Sequence, residues 1–481
     1  MSYQRRKTTP VQVGGLFIGG EHPIRLQSML NTSTNDTEAS VEQAIRIAQA
    51  GGELVRATTQ GVKEARNMAE IRRGLDARGY AALPLVADVH FNPKVADEAL
   101  LHCEKVRINP GNYAQTYDEI EQKFVPFLQA CRKHGTAIRI GVNHGSLSRR
   151  MLDRYGDTPE GMVASCMEYL RLCKRERFDN VVLSVKASNT RVMVYTVRQL
   201  VQSMDAEDMH YPLHLGVTEA GAGEDGRIKS AVGIGTLLAE GLGDTIRVSL
   251  SEAPEAEIPV ARRIVELARR YPAGAGPLHY ARRHPEAGQP IVVTKAEGVP
   301  AGWTVVDLEQ TIPNSSQPVV LHWVYSGGEY GDFMLEAAVA LGRWLLDGMV
   351  DGLWIEAPHF DVEDVKRLGY DLLQAARARM SKTEYISCPT CGRTLFDMPA
   401  TLARIKAATD HLSHLKIGVM GCIVNGPGEM ADADYGYVGA GRGSVSLYKG
   451  KTCIEKNIPE AEAVERLIAL IREGGDWRDP V

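Results

Sequence analysis

The sequence has few cysteines and no long apolar run. Eight cysteines among 481 residues are too few for a disulfide framework, and free thiols suit a reducing compartment. No apolar stretch reaches the length of a membrane span, and the basic N-terminal segment lacks the apolar core of a signal peptide. The formal net charge of -5 provides no general basic field for nucleic acid. We therefore predict a cytoplasmic protein that binds neither membranes nor nucleic acid, and that holds any anionic ligand with a local cluster of cations.

Short β-branched segments alternate with helical patterns along the N-terminal half of the chain. Amphipathic segments at 40–50 and 192–204 are typical of the helices in such an alternation. The pattern predicts an α/β fold that begins with a (β/α)8 TIM barrel, and a doubly wound open sheet is the alternative. The eight predicted strands are 24–29, 53–58, 83–90, 105–110, 137–143, 180–187, 212–219 and 245–250.

Charged and amide side chains stand at the C-terminal end of one predicted strand after another. These ends form the functional face of a barrel. Five of the side chains are cations, and guanidinium groups match the geometry of phosphate oxygens, so the pattern predicts a phosphate or diphosphate site. The alternative is that some of them form structural ion pairs with Asp88, Glu219 or Asp244. The candidate binding residues are Arg56, Asp88, His90, Arg107, Arg139, Asn143, Lys186, Arg247 and Ser249.

Glu219 ends the seventh predicted strand, among these cations. A carboxylate in that position can pass a proton to a leaving oxygen, although it can also serve as an ion-pair partner for Lys186 or Arg247. The nearby glycine-rich runs at 221–226 and 231–235 lack the strand-GxGxxG-helix spacing of a dinucleotide site. They allow tight turns and a close approach of the backbone.

A segment rich in proline, glycine and arginine follows the barrel pattern and predicts a domain boundary. Beyond it, strand-like and helix-like segments alternate again, which indicates a small α/β insert that acts as a spacer. Hinges are expected near 253–260 and 380–385. The predicted domains are 1–262, 263–380 and 381–481. Within the insert, the predicted strands are 289–294, 319–325 and 352–356, and the predicted helices are 332–350 and 362–380.

The last domain carries three cysteines with the spacing of metal ligands. Cys388 and Cys391 form a C-P-T-C turn, and Cys422 precedes a glycine-rich loop that contains Glu429. A zinc ribbon would need a second C-x-x-C, which is missing, although Cys453 is a further thiol in the domain. A dithiol redox pair leaves Cys422 without a role. An iron–sulfur cluster uses three thiolates and a weak fourth ligand, and all three interpretations stay open at this point.

Seven motifs resemble, in order, those of the 4-hydroxy-3-methylbut-2-enyl diphosphate synthase family of the non-mevalonate isoprenoid pathway. The resemblance implies a barrel that grips a diphosphate and an α+β, iron–sulfur reductase-like C-terminal domain. It implies a [4Fe-4S] cluster whose ligands are Cys388, Cys391, Cys422 and Glu429. The motifs are 27–29 (QSM), 105–112 (KVRINPGN), 139–143 (RIGVN), 214–221 (HLGVTEAG), 243–249 (GDTIRVS), 386–393 (ISCPTCGR) and 420–429 (MGCIVNGPGE).

The activity that this resemblance implies is the reductive ring opening of 2-C-methyl-D-erythritol 2,4-cyclodiphosphate with loss of water. Glu219 would protonate the departing hydroxyl, Asn425 would orient it, and Glu429 would be a ligand that substrate can displace. The chain has no flavin or nicotinamide motif, so a ferredoxin or flavodoxin is implied as the electron donor. The alternative function is a non-redox barrel enzyme of the pterin-binding or aldolase kind with a structural zinc site.

The insert between the barrel and the cysteine motifs resembles that of the three-domain members from plants and some bacteria, in a shortened form. In short members, which are homodimers, the cluster domain closes on the partner's barrel. In three-domain members it closes on the barrel of the same chain. The sequence leaves both arrangements, and a homodimer, open.

Overall fold

The computed structural model describes residues 2–313, 316–423, 426–430 and 432–480, apart from the side chain of Glu429. Over these residues the chain forms an eight-stranded barrel, a four-stranded α/β module and a five-stranded sheet with helices. The predicted α/β barrel fold is confirmed. No helix within the described ranges has both the length and the apolar character needed to cross a membrane.

A short antiparallel hairpin, β1 (Val11–Val13) and β2 (Leu16–Ile18), precedes the barrel. Its apolar side chains pack against Leu54 and Ala137, which begin two of the barrel strands. The hairpin therefore closes the N-terminal end of the barrel. Sequence analysis missed it because three-residue strands are too short to show an alternating pattern.

All eight predicted barrel strands are present and run parallel, so the open-sheet alternative is wrong. Neighbouring strands pair in chain order, the last strand pairs with the first, and a bridge between Leu183 and Leu213 joins the sixth barrel strand to the seventh across the remaining gap. Every residue of the seven-residue strand at 137–143 is buried, as expected for a parallel strand covered on both faces. The strands are β3 (Arg25–Met29), β4 (Leu54–Thr58), β5 (Leu85–Asp88), β6 (Lys105–Ile108), β7 (Ala137–Asn143), β8 (Val181–Lys186), β9 (His214–Leu215) and β10 (Thr245–Ile246).

Helices cover the outside of the barrel, including the two predicted at 40–50 and 192–204. They are α1 (Thr37–Gln49), α2 (Val62–Ala77), α3 (Pro93–Ala99), α4 (Pro110–Tyr113), α5 (Tyr117–His134), α6 (Arg149–Tyr155), α7 (Pro159–Arg175), α8 (Thr190–Ala206), α9 (Gly223–Ala239) and α10 (Glu257–Arg270). The hydroxyl of Thr116 caps α5 by accepting a hydrogen bond from the backbone of Glu119 at 3.2 Å, and Gly135, with φ of +70°, ends it. The segment 253–260, which was predicted as a hinge, contains a short 3-10 turn (Pro254–Ala256) and the first turn of α10, and its role as a hinge stays a prediction.

The module between barrel and C-terminal sheet is a four-stranded parallel sheet with two helices on one face. Its elements are β11 (Ile291–Val293), β12 (Thr304–Asp307), β13 (Val319–Val324), α11 (Tyr330–Leu346), β14 (Gly352–Glu356) and α12 (Val362–Ala375), and the strand order is β11-β14-β13-β12. The three predicted strands are confirmed, β12 was missed, and both helices end earlier than predicted. Helix α11 packs on α9, where Val339 lies against Gly235, so one apolar core continues from the barrel into the module.

The C-terminal sheet has the order β15-β16-β17-β18-β19, with its first three strands parallel and its last two added as an antiparallel meander. Cys388 and Cys422 each follow one of two neighbouring parallel strands, so both lie at the same edge of this sheet. The elements are β15 (Glu384–Ser387), α13 (Met398–Thr409), β16 (Lys416–Met420), α14 (Gly426–Glu429), β17 (Tyr435–Gly441), β18 (Ser444–Lys449), β19 (Thr452–Pro459) and α15 (Glu460–Glu473).

Candidate active site

A cavity of about 80 Å³ lies where the C-terminal ends of the barrel strands meet the cysteine edge of the C-terminal sheet. It brings together every predicted site residue whose side chain is described. Asn425 lies outside the described residues, and of Glu429 only the backbone, in α14, is described, so their roles stay predictions. The predicted residues that line the cavity are Arg56, Asp88, His90, Arg107, Arg139, Asn143, Lys186, Glu219, Arg247, Ser249, Cys388, Cys391 and Cys422.

The C-terminal domain sits on the barrel of its own chain. Ser251, just after β10, donates a hydrogen bond to the carbonyl of Cys388 at 3.0 Å, and the amide of Asn31 donates one to the hydroxyl of Thr390 at 3.1 Å. Gly145 and Gly428 approach so closely that a Cβ atom on either would collide with the carbonyl of the other. Of the two arrangements left open by the sequence, the structure has the one within a single chain.

Buried ion pairs join the three parts of the chain beside this cavity. Lys229 of α9 contacts Glu384 of β15 at 2.7 Å, and Arg377, after α12, contacts the same carboxylate. Burial alone would raise the pKa of Glu384, but Lys229 and Arg377 lower it to about 2. Lys382 in turn contacts Asp225 of α9 at 2.6 Å and Asp371 of α12 at 2.7 Å. The segment that leads into β15, which was predicted as a hinge, is thus held by charge pairs on both sides.

The cavity cations fall into two groups according to their partners. Arg247 forms two hydrogen bonds with buried Glu257, at 3.0 and 2.9 Å, and Arg107 contacts Asp88 at 3.3 Å. In contrast, no carboxylate in the described part of the chain lies within ion-pair distance of Arg139 or Lys186. The hypothesis of structural ion pairs therefore applies to part of the cluster only.

The partners differ from those expected. Asp88 does pair with cations, whereas Asp244 lies at 3.5 Å from Arg5, away from the cavity. The partner of Arg247 is Glu257, which was overlooked because it stands on α10 rather than at a strand end. A charged residue on a helix can therefore belong to the site although the strand ends give no sign of it.

Glu219 adopts a backbone conformation that is rare for a residue with a side chain. Its φ is +49°, in the left-handed region, and its side chain is buried in the cavity wall. Such a conformation costs about 1 kcal/mol or more, and residues of this kind cluster at functional sites. Its carboxylate is close enough to influence the thiol of Cys388 electrostatically. Glu219 thus stands between the cations of the barrel and the cysteines.

The three cysteines share the cavity without converging on one point. Within the described residues no three His, Cys, Asp or Glu side chains are arranged to hold a single ion, whereas a multi-iron cluster takes one ligand per iron. Cys453 cannot complete a zinc ribbon here, because it lies on β19 with its sulfur 3.6 Å from the carbonyl of Glu455. Burial and the neighbouring Cys391 raise the pKa of the Cys388 thiol well above its usual value, so a thiolate there needs a cationic partner. Three thiols that line one cavity are a donor set that could hold an iron–sulfur cluster.

Comparison with known proteins agrees with this geometry. The family model for the GcpE TIM-barrel domain matches residues 8–262, and that for the GcpE protein C-terminal domain matches residues 384–473. The chain belongs to the GcpE family.

Curated relatives resemble this GcpE-family chain over nearly its whole length. A protein named 4-hydroxy-3-methylbut-2-en-1-yl diphosphate synthase (flavodoxin) from Parabacteroides distasonis is 48% identical over 606 aligned positions, which cover 99% of each chain. Proteins of the same name from Bacteroides thetaiotaomicron and Protochlamydia amoebophila are 49% and 38% identical, covering 98% and 99% of this chain and 98% and 97% of theirs. The alignments have more positions than the 481 residues of this chain, so the relatives contain residues that it lacks.

Solved structures that resemble part of the GcpE-family chain include a dihydropteroate synthase from Xanthomonas albilineans. The two chains are 15% identical, with a TM-score of 0.38, over 53% of this chain and 96% of the other.

Burial and mutual repulsion dominate the electrostatics of the GcpE cavity. Burial and the surrounding arginines lower the pKa of Lys186 and of Arg139 well below their ordinary values, and burial lowers that of Arg56 to about 10. Burial and Arg107 lower the pKa of His90 to about 3, so this ring is neutral at pH 7. An anion bound in the cavity would relieve this repulsion.

Met29 and Arg393, which line the cavity, and the buried Lys105 of β6 were not predicted as site residues. Met29, at the end of β3, accepts a hydrogen bond on its sulfur from Arg56 at 2.8 Å. Arg393 contacts Asp88 from the C-terminal domain at 3.7 Å, and Lys105 lies deeper in the barrel, 3.3 Å from the amide oxygen of Gln27. Met29 was not predicted because the candidate residues were chosen for charged or polar side chains. Arg393 stands two residues after Cys391, and this position in the sequence could have predicted that it lies at the site.

We expect the substitution Arg139→Met to raise the unfolding temperature and to weaken binding of inorganic diphosphate. The substitution removes a buried charge that no described carboxylate neutralises, which should stabilise the fold by about 1 kcal/mol or more. Loss of a charge-assisted contact should weaken binding by roughly 10- to 100-fold. Thermal unfolding and titration calorimetry measure the two effects.

Arg247→Met is the matched control, since Arg247 has Glu257 as its partner. The change leaves that carboxylate buried and unpaired, so we expect a loss of about 3–5 kcal/mol of stability. A lower unfolding temperature for Arg139→Met, together with wild-type affinity for diphosphate, would contradict the division of the cations into two groups.

Proposed function

We propose that this GcpE-family chain reduces 2-C-methyl-D-erythritol 2,4-cyclodiphosphate to 4-hydroxy-3-methylbut-2-enyl diphosphate, opening the ring and releasing water. The observation that carries the proposal is one cavity that five buried cations and three cysteines line together. The names of the curated relatives, which describe a synthase of this product, support it. The site serves a diphosphate on one side and a redox group on the other.

The barrel cations bind the diphosphate in this proposal. Arg139 and Lys186, which lack neutralising partners among the described residues, contribute most to its affinity, and Asn143, Ser249 and neutral His90 contribute hydrogen bonds. The diphosphate keeps its charge throughout the reaction, so it fixes the position of the carbon skeleton and does not react itself. The other residues proposed to bind it are Arg56, Asp88, Arg107 and Arg247.

A [4Fe-4S] cluster is the cofactor that we propose for the cysteine side of the cavity. Cys388, Cys391 and Cys422 would hold it, with Glu429 as the fourth ligand and Asn425 beside the same loop. When bound, the cluster supplies the electrons of the reaction. The thiolates carry negative charge close to Arg393, which contacts Cys391 and Asp88 and so balances part of it.

Glu219 is the residue that we propose as proton donor to the departing hydroxyl group. Its carboxylate is buried between the two sides of the cavity, where a hydroxyl leaving the carbon skeleton would pass. The C-terminal domain covers the strand ends of the barrel and buries the cations, and burial strengthens the charge interactions within the site.

The proposal also includes the electron donor, the cellular compartment and the functional parts of the chain. Flavodoxin, which is named in the relatives, is the proposed electron donor, and the cytoplasm is the proposed compartment. We also propose three functional parts along the chain: 1–262 for substrate binding, 263–380 as a spacer and 381–481 for the cluster.

Anaerobic assay of the purified protein tests the proposal. We expect iron and inorganic sulfide in equal amounts, and formation of 4-hydroxy-3-methylbut-2-enyl diphosphate from the cyclic diphosphate when reduced methyl viologen supplies electrons. Zinc in place of iron, with no sulfide and no product, would instead favour the non-redox barrel enzyme with a structural zinc site.

A further inference from the structure

A second and larger cavity opens to the surface next to the candidate active site. Its volume is about 910 Å³, and we call it the outer groove. Cys391, Arg393 and Cys422 line both the outer groove and the candidate active-site cavity. The cysteine loops therefore have an inner side that faces the barrel cations and an outer side that faces solvent. The outer groove is also lined by Leu395, Phe396, Pro399, Ile423, Arg442 and Glu252.

The wall of the outer groove nearest the cysteines is apolar. Ile423, directly after Cys422, has 55% of its surface exposed, and Pro399 is exposed close by. Phe396 is half-buried and held in place by an edge-on contact with Tyr437, at 5.4 Å between ring centroids. Exposed apolar groups that lie together beside a functional site mark a surface for a partner. Nothing in the proposed reaction needs them.

Two arginines, Arg393 and Arg442, and two carboxylates, Glu252 and Asp397, line the outer groove. Both oxygens of Glu252 are engaged by Arg227, at 2.6 and 2.8 Å, and Asp397 caps α13 by accepting a hydrogen bond from the backbone of Ala400. Arg442 is exposed and forms no ion pair with any residue in the described ranges. Arg442 is therefore available to an acidic partner, and the charge of Glu252 is already neutralised by Arg227.

Substrate and electron donor must reach the cysteines from different sides. The barrel of the same chain covers the inner side where Gly145 closely approaches α14, and the contacts of Ser251 and Asn31 with the C-terminal domain lie where the outer groove meets the barrel. Electron transfer between proteins falls steeply with distance, so a donor has to approach where the cysteine loops reach the surface. The outer groove is such a place.

We propose that the outer groove is the docking surface for flavodoxin, with Ile423 as its apolar anchor and Arg442 as the cation that attracts the acidic partner. This inference rests on the proposed function, because flavodoxin is the donor named in the relatives. Each encounter oxidises flavodoxin hydroquinone to the semiquinone and delivers one electron. Two encounters supply the two electrons that the ring opening consumes, and the protons taken up leave with the product and as water.

The surface has the character of a transient electron-transfer interface. Such interfaces are small and bind weakly, with an apolar centre and a charged rim that speeds association. Weak binding suits a donor that must leave after each electron. In the proposed interface, Ile423 forms the apolar centre and Arg442 lies on the charged rim.

Binding of oxidised flavodoxin, measured by surface plasmon resonance, tests the proposal without any turnover. We expect Ile423→Asp and Arg442→Glu each to weaken binding by about tenfold, equivalent to roughly 1.4 kcal/mol. Wild-type affinity should fall as salt is added, and Arg442→Glu should lose much of that dependence. The matched control is Ile454→Asp, since Ile454 lies on β19 with 47% of its surface exposed, outside the outer groove. It should bind as wild type does.

Turnover with two donors separates this inference from the proposed function. Arg442→Glu should lose activity with flavodoxin and keep activity with reduced methyl viologen, a small donor that needs no docking surface. If both groove variants bind flavodoxin as tightly as wild type, or if Ile454→Asp loses as much affinity as they do, the docking surface is wrong. If wild type makes no product with methyl viologen, the proposed function itself fails.

Discussion

Replacing Cys422 by alanine will leave a folded protein that retains neither iron nor sulfide and has no detectable turnover. Cys422 stands two residues beyond β16, outside the pairing of the strands, so the fold should survive. The two remaining thiolates, Cys388 and Cys391, come from one turn and hold only one side of a cluster. Iron and sulfide analysis after anaerobic purification, together with circular dichroism, measures the outcome.

Cys453→Ala is the matched control, because Cys453 is a half-buried thiol of the same domain that lies on β19, away from the cavity. It should keep the cluster and full activity. Glu429→Ala should differ from both, retaining most of the iron while losing turnover, since three thiolates remain. A Cys422→Ala protein that carries a complete cluster would refute the ligand set, as would loss of iron from Cys453→Ala.

Replacing Glu219 by glutamine will reduce kcat by about 10²- to 10⁴-fold, the range expected when a positioned proton donor is removed. The amide keeps the shape of the side chain but cannot donate the same proton. Binding of inorganic diphosphate should be as tight as in wild type or tighter, because one negative charge leaves a cluster of cations. Single-turnover kinetics and calorimetry distinguish the two effects.

Glu219→Gly separates the chemical role of the residue from the strain in its backbone. Glycine adopts a φ of +49° without steric cost, so this variant should unfold at a higher temperature than wild type while remaining inactive. Wild-type kcat in either variant would exclude Glu219 as the donor. A lower unfolding temperature in Glu219→Gly would show that contacts of its side chain outweigh the strain.

The barrel was predictable because each of its strands carries a strong local signal. A nearly continuous apolar run such as 137–143 indicates a strand covered on both faces, and the polar residue at its end indicates the functional face. Even β9 and β10, with two residues each, lay inside predicted segments. The apolar segments that contain them extend beyond the residues that form regular strand hydrogen bonds. The hairpin of β1 and β2 and the strand β12 gave no comparable signal.

Contacts between residues far apart in the chain could not be predicted from the sequence. Neither Glu257, the partner of Arg247, nor Arg393, the partner of Asp88, stands at a strand end of the barrel, and no local pattern links them to it. The seating of the C-terminal domain on its own barrel depends on surface fit between Gly145 and α14, which single-sequence patterns do not report. Nor did the sequence indicate that the segment at 253–260 contains the first turn of α10, which buries Glu257 and Val260.

The order of strands in the small module has a consequence for the length of the chain. Because β11 pairs with β14, the polypeptide enters and leaves the module at adjacent strands, while β11 and β12 are the two free edges of the sheet. Additional strands inserted between β11 and β12 would extend those edges and leave α11, α12 and the path into β15 unchanged. The module can therefore vary in size between relatives. A relative with more residues can have a larger sheet here while its cysteines keep their position against the barrel.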